Sequence, residues 1–121
     1  MDDTTTLTNL KERIRFFCEE RDWDRYHNAK DLAIGIITEA AELLEHFRFK
    51  SNEESEALLA DPEKHHDIAQ ELADILYFVL RLAQRYGIDL SDELGAKLEL
   101  NAARYPVDKA KGSNKKYSEL D

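Results

Sequence analysis

Apolar residues recur at the three- and four-residue spacing of an α-helix along most of this chain. The densest stretch runs from Leu72 to Ala83, where apolar side chains would face nearly every side of a helix. Only 4 Gly and 2 Pro occur in 121 residues, so few helix breakers interrupt the pattern. The sequence therefore predicts an all-α fold, and its length predicts one domain with a single core.

The periodic stretches predict a bundle of four helices, at about residues 7–21, 28–48, 61–86 and 89–103. Asn28 is a candidate N-cap for the second helix, and Asp61-Pro62 is a typical start for the third. Gly87 can end the third helix by taking the left-handed conformation. Because the third helix is apolar on several sides, we expect it to be central or to lie in a subunit interface.

Three segments lack a helical period. Residues 50–61 hold polar and acidic side chains without sustained spacing and are predicted to form an exposed connection. Residues 1–6 and about 107–121 are predicted to be flexible tails of the single domain.

The charge of the chain limits its partners. A net charge of -9 and a pI near 4.9 argue against binding a nucleic-acid polymer, because that affinity depends on Lys and Arg. A small polyphosphate remains possible if a metal supplies positive charge. The single cysteine, Cys18, excludes an internal disulfide and is interpreted as a small apolar group of the first helix. No signal peptide or membrane-spanning run is visible, which predicts a cytoplasmic protein without a membrane partner.

Four carboxylates form two matched pairs, Glu39-x-x-Glu42 and Glu71-x-x-Asp74, at the edges of predicted apolar helix faces. Residues three apart share one face of a helix. Burying unpaired carboxylates together costs several kcal/mol, so a cation is expected among them. Oxygen ligands favour Mg2+, with Mn2+ possible. His46 lies close to the first pair, either as support for it or as an ordinary boundary residue.

Two other interpretations of the acids stay open. The carboxylates could form salt bridges with Lys64, Arg81 or Arg85 in a helical interaction protein that is not an enzyme. Glu63-x-x-His66 matches half of the motif of carboxylate-bridged di-iron bundles, but the second half is missing from the second predicted helix.

Phosphate binding would have to come from metal and side chains, because the chain has no glycine-rich phosphate loop. Lys97, Asn101 and Arg104 recur at steps of four and three on the fourth predicted helix. They form one face with donors suited to phosphate or to base edges, although a solvated face is the simpler interpretation.

The carboxylate pattern, with 28 residues between its pairs, resembles the metal signature of the MazG-like all-α nucleoside triphosphate pyrophosphatases. The resemblance covers roughly residues 7–120. Three further segments resemble the dCTP pyrophosphatase branch of that family: Glu20-Arg21-Asp22-Trp23 with Tyr26-His27, Lys97-x-x-x-Asn101-x-x-Arg104-Tyr105-Pro106, and Lys116-Tyr117-Ser118-Glu119-Leu120.

The resemblance implies hydrolysis of a nucleoside triphosphate to the monophosphate and pyrophosphate, which would clear unwanted nucleotides. It implies that the catalytic residues are the four Mg2+ ligands, Glu39, Glu42, Glu71 and Asp74. It also implies that Trp23 helps enclose the base, that Asn101 binds the nucleotide, and that Lys97 and Arg104 contact its phosphates.

Three positions depart from that branch, which tends to have Trp at Phe49, Tyr at Phe78 and His at Ile14. All three belong to the implied nucleotide pocket, so Phe49 and Phe78 are also expected to be substrate-binding residues. Loss of a polar discriminator lowers selectivity. We therefore predict a broader range than dCTP alone, including modified or purine deoxynucleotides.

Apolar residues outside the main stripe of the second predicted helix, among them Ile34, Ile37 and Ala41, indicate more apolar area than one protomer can cover. The sequence thus predicts a homo-oligomer. Since the relatives it resembles form dimers and pairs of dimers, a tetramer built as a dimer of dimers is expected.

Overall fold

The computed structural model describes all 121 residues, and it is all-helical, which confirms the predicted fold class. Short 3-10 turns lie at Asp24–Tyr26 and Tyr117–Glu119. None of the helices is both long enough and apolar enough to cross a membrane. The six α-helices are α1 (Leu7–Glu20), α2 (Ala29–Glu45), α3 (Asn52–Ala60), α4 (Pro62–Arg85), α5 (Leu90–Arg104) and α6 (Val107–Ala110).

Local side-chain chemistry fixes the helix ends. The side chain of Asn28 accepts a hydrogen bond from the backbone N–H of Asp31 at 2.9 Å, and this caps α2. Asp61 accepts from the N–H of Glu63 at 2.9 Å and caps α4. Gly87 follows α4 with a φ of 64°. The predicted caps and the predicted stop are confirmed.

Residues 50–61 are mostly exposed, as predicted, but the prediction of a connection without a helix was wrong, because α3 occupies most of this segment. Ser51 Oγ accepts from the N–H of Glu54 at 3.1 Å, and Glu54 Oε1 accepts from the N–H of Ser51 at 3.1 Å. This reciprocal capping box starts a helix whose apolar residues are too closely spaced to give a helical period. Leu58 is half-buried on the helix, which packs against α4.

The chain divides into two compact units, residues 1–87 and 88–121. In the first unit α4 packs against α1, α2 and α3, so it takes the central position, one of the two alternatives that its apolar pattern predicted. In the second unit the ring of Tyr117 packs edge-on against Tyr105, with centroids 6.1 Å apart. The prediction of one domain with flexible tails at 1–6 and about 107–121 stays a prediction. The buried apolar residues all belong to the first unit: Cys18, Leu32, Ile68, Leu80 and Ala83.

A close approach between α2 and α4 depends on Gly35. A Cβ added there would lie 2.5 Å from Cδ1 and 2.9 Å from Cγ of Phe78, closer than atoms can pack. The missing side chain of Gly35 is therefore what lets the Phe78 ring lie against the backbone of α2.

We expect Gly35→Ala to destabilise the protein by about 1 kcal/mol. Overpacking costs about 1–3 kcal/mol, and the gain in helix propensity returns about 1 kcal/mol. In a Phe78→Ala background the same change should become stabilising. Gly95→Ala on α5 is the matched control, since an added Cβ there meets nothing within 4 Å. Denaturant unfolding of these variants measures the effects, and a stabilising Gly35→Ala alone would contradict the packing.

Candidate metal centre and nucleotide site

Three of the four predicted carboxylates come together between two helices. Glu39 and Glu42 lie on α2 and Glu71 on α4, and each offers an oxygen within 4.8 Å of the others. Asp74 lies one turn further along α4, is exposed, and stands outside this group of three. Its charge nevertheless acts on Glu39. The acidic cluster is defined as these four residues.

Partial burial of Glu39 and Glu71 makes the acidic cluster electrostatically costly. Oε2 of Glu39 and Oε2 of Glu71 are buried and have no hydrogen-bond partner. Burial raises the pKa of Glu39 to about 7, with further contributions from a hydrogen bond to Glu42 and from the charges of Glu42, Asp74 and Glu71. Two orphaned carboxylate oxygens beside like charges carry an uncompensated desolvation cost.

The salt-bridge interpretation does not hold for the two arginines. Arg81 and Arg85 both direct their guanidinium groups to Asp24 in the turn after α1. The basic group near the acidic cluster is His46, whose Nε2 lies 3.6 Å from Oε1 of Glu71. Neither arginine neutralises the acidic cluster, so the repulsion between its carboxylates remains.

A divalent cation fits this arrangement. The donor atoms are carboxylate oxygens, which hard cations such as Mg2+ and Mn2+ prefer. A cation among them would satisfy the two orphaned oxygens and relieve the repulsion. The di-iron interpretation lacks this support, because Glu63 and His66 are exposed near the start of α4 and do not join the cluster.

Of the three predicted aromatic site residues, Trp23 and Phe78 each contact another aromatic ring within the first unit. Trp23 is 37% exposed and packs edge-on against Phe17, with ring centroids 5.6 Å apart. Phe78 is half-buried and contacts the ring of Tyr77 at 5.1 Å. Phe49 differs, since it is 92% exposed and has a φ of 65°, a strained value for a bulky residue. The guanidinium of Arg48 lies 4.6 Å from the Phe49 ring centroid.

Lys97, Asn101 and Arg104 lie on α5 in the second unit, at the helical spacing that the sequence predicted. Lys97 is exposed and Asn101 is half-buried. The Arg104 guanidinium lies 4.7 Å from the ring centroid of Tyr117, so the C-terminal segment contacts this predicted phosphate ligand.

Sequence reasoning missed one buried network. Arg81 is 1% exposed and donates to Asp24, His27 and Gln84. The signal was present, since Arg81 is the one charged residue within the apolar run Val79–Ala83. A charged residue in such a run requires buried partners.

Comparisons with known proteins agree with this architecture. Residues 34–120 match the model of the MazG-like family. The dCTP pyrophosphatase 1 of Bos taurus is 34% identical over 95% of this chain and 68% of its own length, and that of Homo sapiens is 32% identical over the same shares. The crystal structure of a pyrophosphatase from Archaeoglobus fulgidus superposes with a TM-score of 0.78 at 33% identity, covering 83% of this chain and 92% of that one.

The chain is thus an all-helical protein with an acidic cluster between two of its helices, and it is similar in sequence and fold to these pyrophosphatases. The family match spans well over half of the chain, and the relatives match nearly all of it. The chain belongs to the MazG-like family, which confirms the resemblance seen in the sequence.

Proposed function

We propose that this protein is a Mg2+-dependent nucleoside triphosphate pyrophosphohydrolase that converts deoxynucleoside triphosphates, dCTP or modified relatives of it, to the monophosphate and pyrophosphate. The observation that carries the proposal is the acidic cluster with its two orphaned oxygens. The relatives support the coarser statement, that the chain is a nucleoside triphosphate pyrophosphatase, since they are a dCTP pyrophosphatase and a pyrophosphatase.

Glu39, Glu42, Glu71 and Asp74 are the proposed Mg2+ ligands, with Mn2+ as an alternative ion. When bound, the ion supplies positive charge that screens the triphosphate and stabilises charge developing on the attacked phosphoryl group. The chain's own part is to hold the carboxylates in one place before the substrate arrives. His46 supports this by lying 3.6 Å from Glu71, where it can orient that carboxylate.

The proposed nucleotide contacts follow the family resemblance. Trp23, Phe49 and Phe78 would contact the base and sugar, while Asn101 would bind the nucleotide, and Lys97 and Arg104 its phosphates. Trp23 supports this role through its partial exposure beside Phe17, which leaves ring surface free for a stacked base.

An open, mainly apolar cavity of about 320 Å3 lies on α1 and α4 and fits the lower range of small-ligand pockets. Ile14, which replaces the histidine of the related branch, contributes to its wall. Isoleucine, unlike histidine, offers no hydrogen bond to a base, which supports a broad substrate range. The cavity is lined by Leu10, Arg13, Ile14, Phe17 and Tyr77.

A panel of triphosphates with Mg2+, analysed by phosphorus NMR, tests the proposal. We expect monophosphate and pyrophosphate as products, and turnover on dCTP that exceeds the next best substrate by much less than about 10³-fold. Ile14→His should narrow the range by restoring a polar group. Release of orthophosphate would mean that another bond is cleaved, and dCTP preference above that ratio would contradict the broad range.

We also propose that the protein is a homo-oligomer, with a dimer of dimers as the expected form. Apolar side chains are exposed along one face of α2, where Ile37 is 67% exposed, and on α4, where Leu72 is 55% exposed. Burying such area favours association by about 25 cal/mol per Å2. Sedimentation should give a particle larger than a monomer at micromolar concentration, and Ile37→Glu should dissociate it. Leu59→Glu on α3 is the control, and a monomeric wild type would contradict the proposal.

A further inference from the structure

The guanidinium of Arg81 joins α4 to the turn that follows α1. Its Nε–H donates to Nδ1 of His27 at 2.9 Å, one terminal nitrogen donates to Gln84 at 2.6 Å, and the other donates to Asp24. Each of the three guanidinium nitrogens therefore has an acceptor. Two of the three acceptors belong to residues 24–27, and the group that holds them is buried.

The turn has two other attachments: Arg85 contacts Asp24 at 3.4 Å, and the backbone N–H of Trp23, just before the turn, donates to the Cys18 carbonyl of α1 at 3.0 Å. Its own backbone hydrogen bonds are local, from the N–H of Tyr26 to the Trp23 carbonyl at 2.9 Å and from the N–H of His27 to the Asp24 carbonyl at 3.1 Å. Tyr26 is largely exposed. The bonds from Arg81 thus provide a large part of what fixes the turn against α4.

Trp23 lies at the start of this turn. Its ring centroid is 6.1 Å from that of His27, the residue that accepts from Arg81. A displacement of His27 would therefore remove one of the two ring contacts of Trp23, leaving the contact with Phe17. The contact between the Trp23 and His27 rings links the indole to a side chain that Arg81 holds.

We propose that Arg81 is a positioning residue for nucleotide binding: by holding Asp24 and His27 it fixes the turn that presents Trp23 to the base. The nucleotide in this inference comes from the proposed function. The positioning role of Arg81 rests on its buried guanidinium. Arg81 itself touches no substrate in this account.

The hydrogen bond also fixes the state of His27. An arginine N–H can only donate, so Nδ1 of His27 carries the lone pair and its proton lies on Nε2. Burial lowers the pKa of His27, the charges of Arg81 and Arg85 lower it further, and Asp24 opposes them. The neutral ring that can accept from Arg81 is thus the favoured form.

The variant Arg81→Met tests the inference, because it keeps a long side chain and removes the three donors. Trp23 is the single tryptophan of the chain, so its fluorescence reports on this turn alone. We expect a red-shifted emission, roughly twofold faster quenching by acrylamide, a KM for the nucleotide that rises about tenfold, and a kcat within about threefold of wild type. Arg85→Met is the comparison variant: it removes a more exposed contact to Asp24, at 3.4 Å, but leaves His27 held by Arg81, so we expect smaller changes in quenching and KM.

A second pair of variants keeps the test decisive if Arg81→Met does not fold. Asp24 is an acceptor in this network, and its side chain is 44% exposed. Asp24→Ala removes this acceptor, whereas Asp24→Asn keeps an acceptor oxygen. We expect the Ala variant to change Trp23 quenching and KM, and the Asn variant to recover most of both. Unchanged quenching and KM in a folded Arg81→Met or Asp24→Ala protein would overturn the inference. The fluorescence requires no turnover, so a wild type that hydrolyses no triphosphate would refute the proposed function while the quenching still tests the role of Arg81.

Discussion

Replacing Glu71 by glutamine is expected to lower kcat/KM on the order of 10³-fold or more, the largest effect in this account. Glu71 supplies one of the orphaned buried oxygens, and an amide cannot hold a divalent cation as a carboxylate does. In metal-free protein the melting temperature should stay unchanged or rise, because one of several crowded negative charges is removed. Steady-state kinetics and thermal unfolding measure the two effects.

Glu45→Gln is the matched control for this prediction. Glu45 is exposed on the last turn of α2, pairs with Arg48 at 3.3 Å, and does not belong to the group of carboxylates whose oxygens lie within 4.8 Å of one another. Its activity should stay within about twofold of wild type, since exposed ion pairs contribute little. A Glu71→Gln protein that unfolds while retaining its activity per folded molecule would support a salt-bridged structural role instead.

The stability of the metal-free protein should fall as the pH rises through about 7, the pKa to which burial raises Glu39. In an unfolded chain this group ionises near its ordinary pKa of 4.5, so the folded state holds one more proton between these values. The stabilisation that protonated Glu39 provides is therefore fully present below pH 4.5, and it is lost as the pH rises from there through about 7. We expect Glu39→Gln to exceed wild type by at least about 4 °C in melting temperature at pH 8.

Mg2+ should reverse that loss. At pH 8 it is expected to raise the melting temperature of wild type, whereas at pH 5 the protonated Glu39 should leave little effect. Thermal unfolding from pH 5 to 8.5, with Mg2+ or with a chelator, measures this for wild type and Glu39→Gln. If the melting temperatures of the two proteins in chelator depended on pH in the same way, the raised pKa of Glu39 would be contradicted.

The helices were predictable because their signals are local. The apolar spacing of α4, the Asn28 and Asp61 caps and the left-handed Gly87 are all fixed by neighbours in the chain. The two carboxylate pairs were predictable for the same reason, since a three-residue step on a helix sets a shared face. The helix α3 was not predicted, because its start depends on a capping box rather than on apolar spacing.

The remaining features depend on tertiary contacts, which the sequence alone does not reveal. The sequence does not say that Phe78 lies against Gly35, because the two residues belong to different helices. It does not say that Arg81 turns to Asp24 rather than to the acidic cluster. Both contacts are determined by the packing of α4 against the neighbouring helices.

A crystal structure with Mn2+ and a nonhydrolysable deoxynucleoside triphosphate tests whether the acidic cluster binds the metal and the substrate, because Mn2+ can be located by its anomalous signal. We expect an anomalous peak among Glu39, Glu42 and Glu71, with the phosphate chain of the nucleotide beside it. Those three carboxylates turned to solvent, with no peak between them and the nucleotide bound elsewhere or absent, would contradict this expectation.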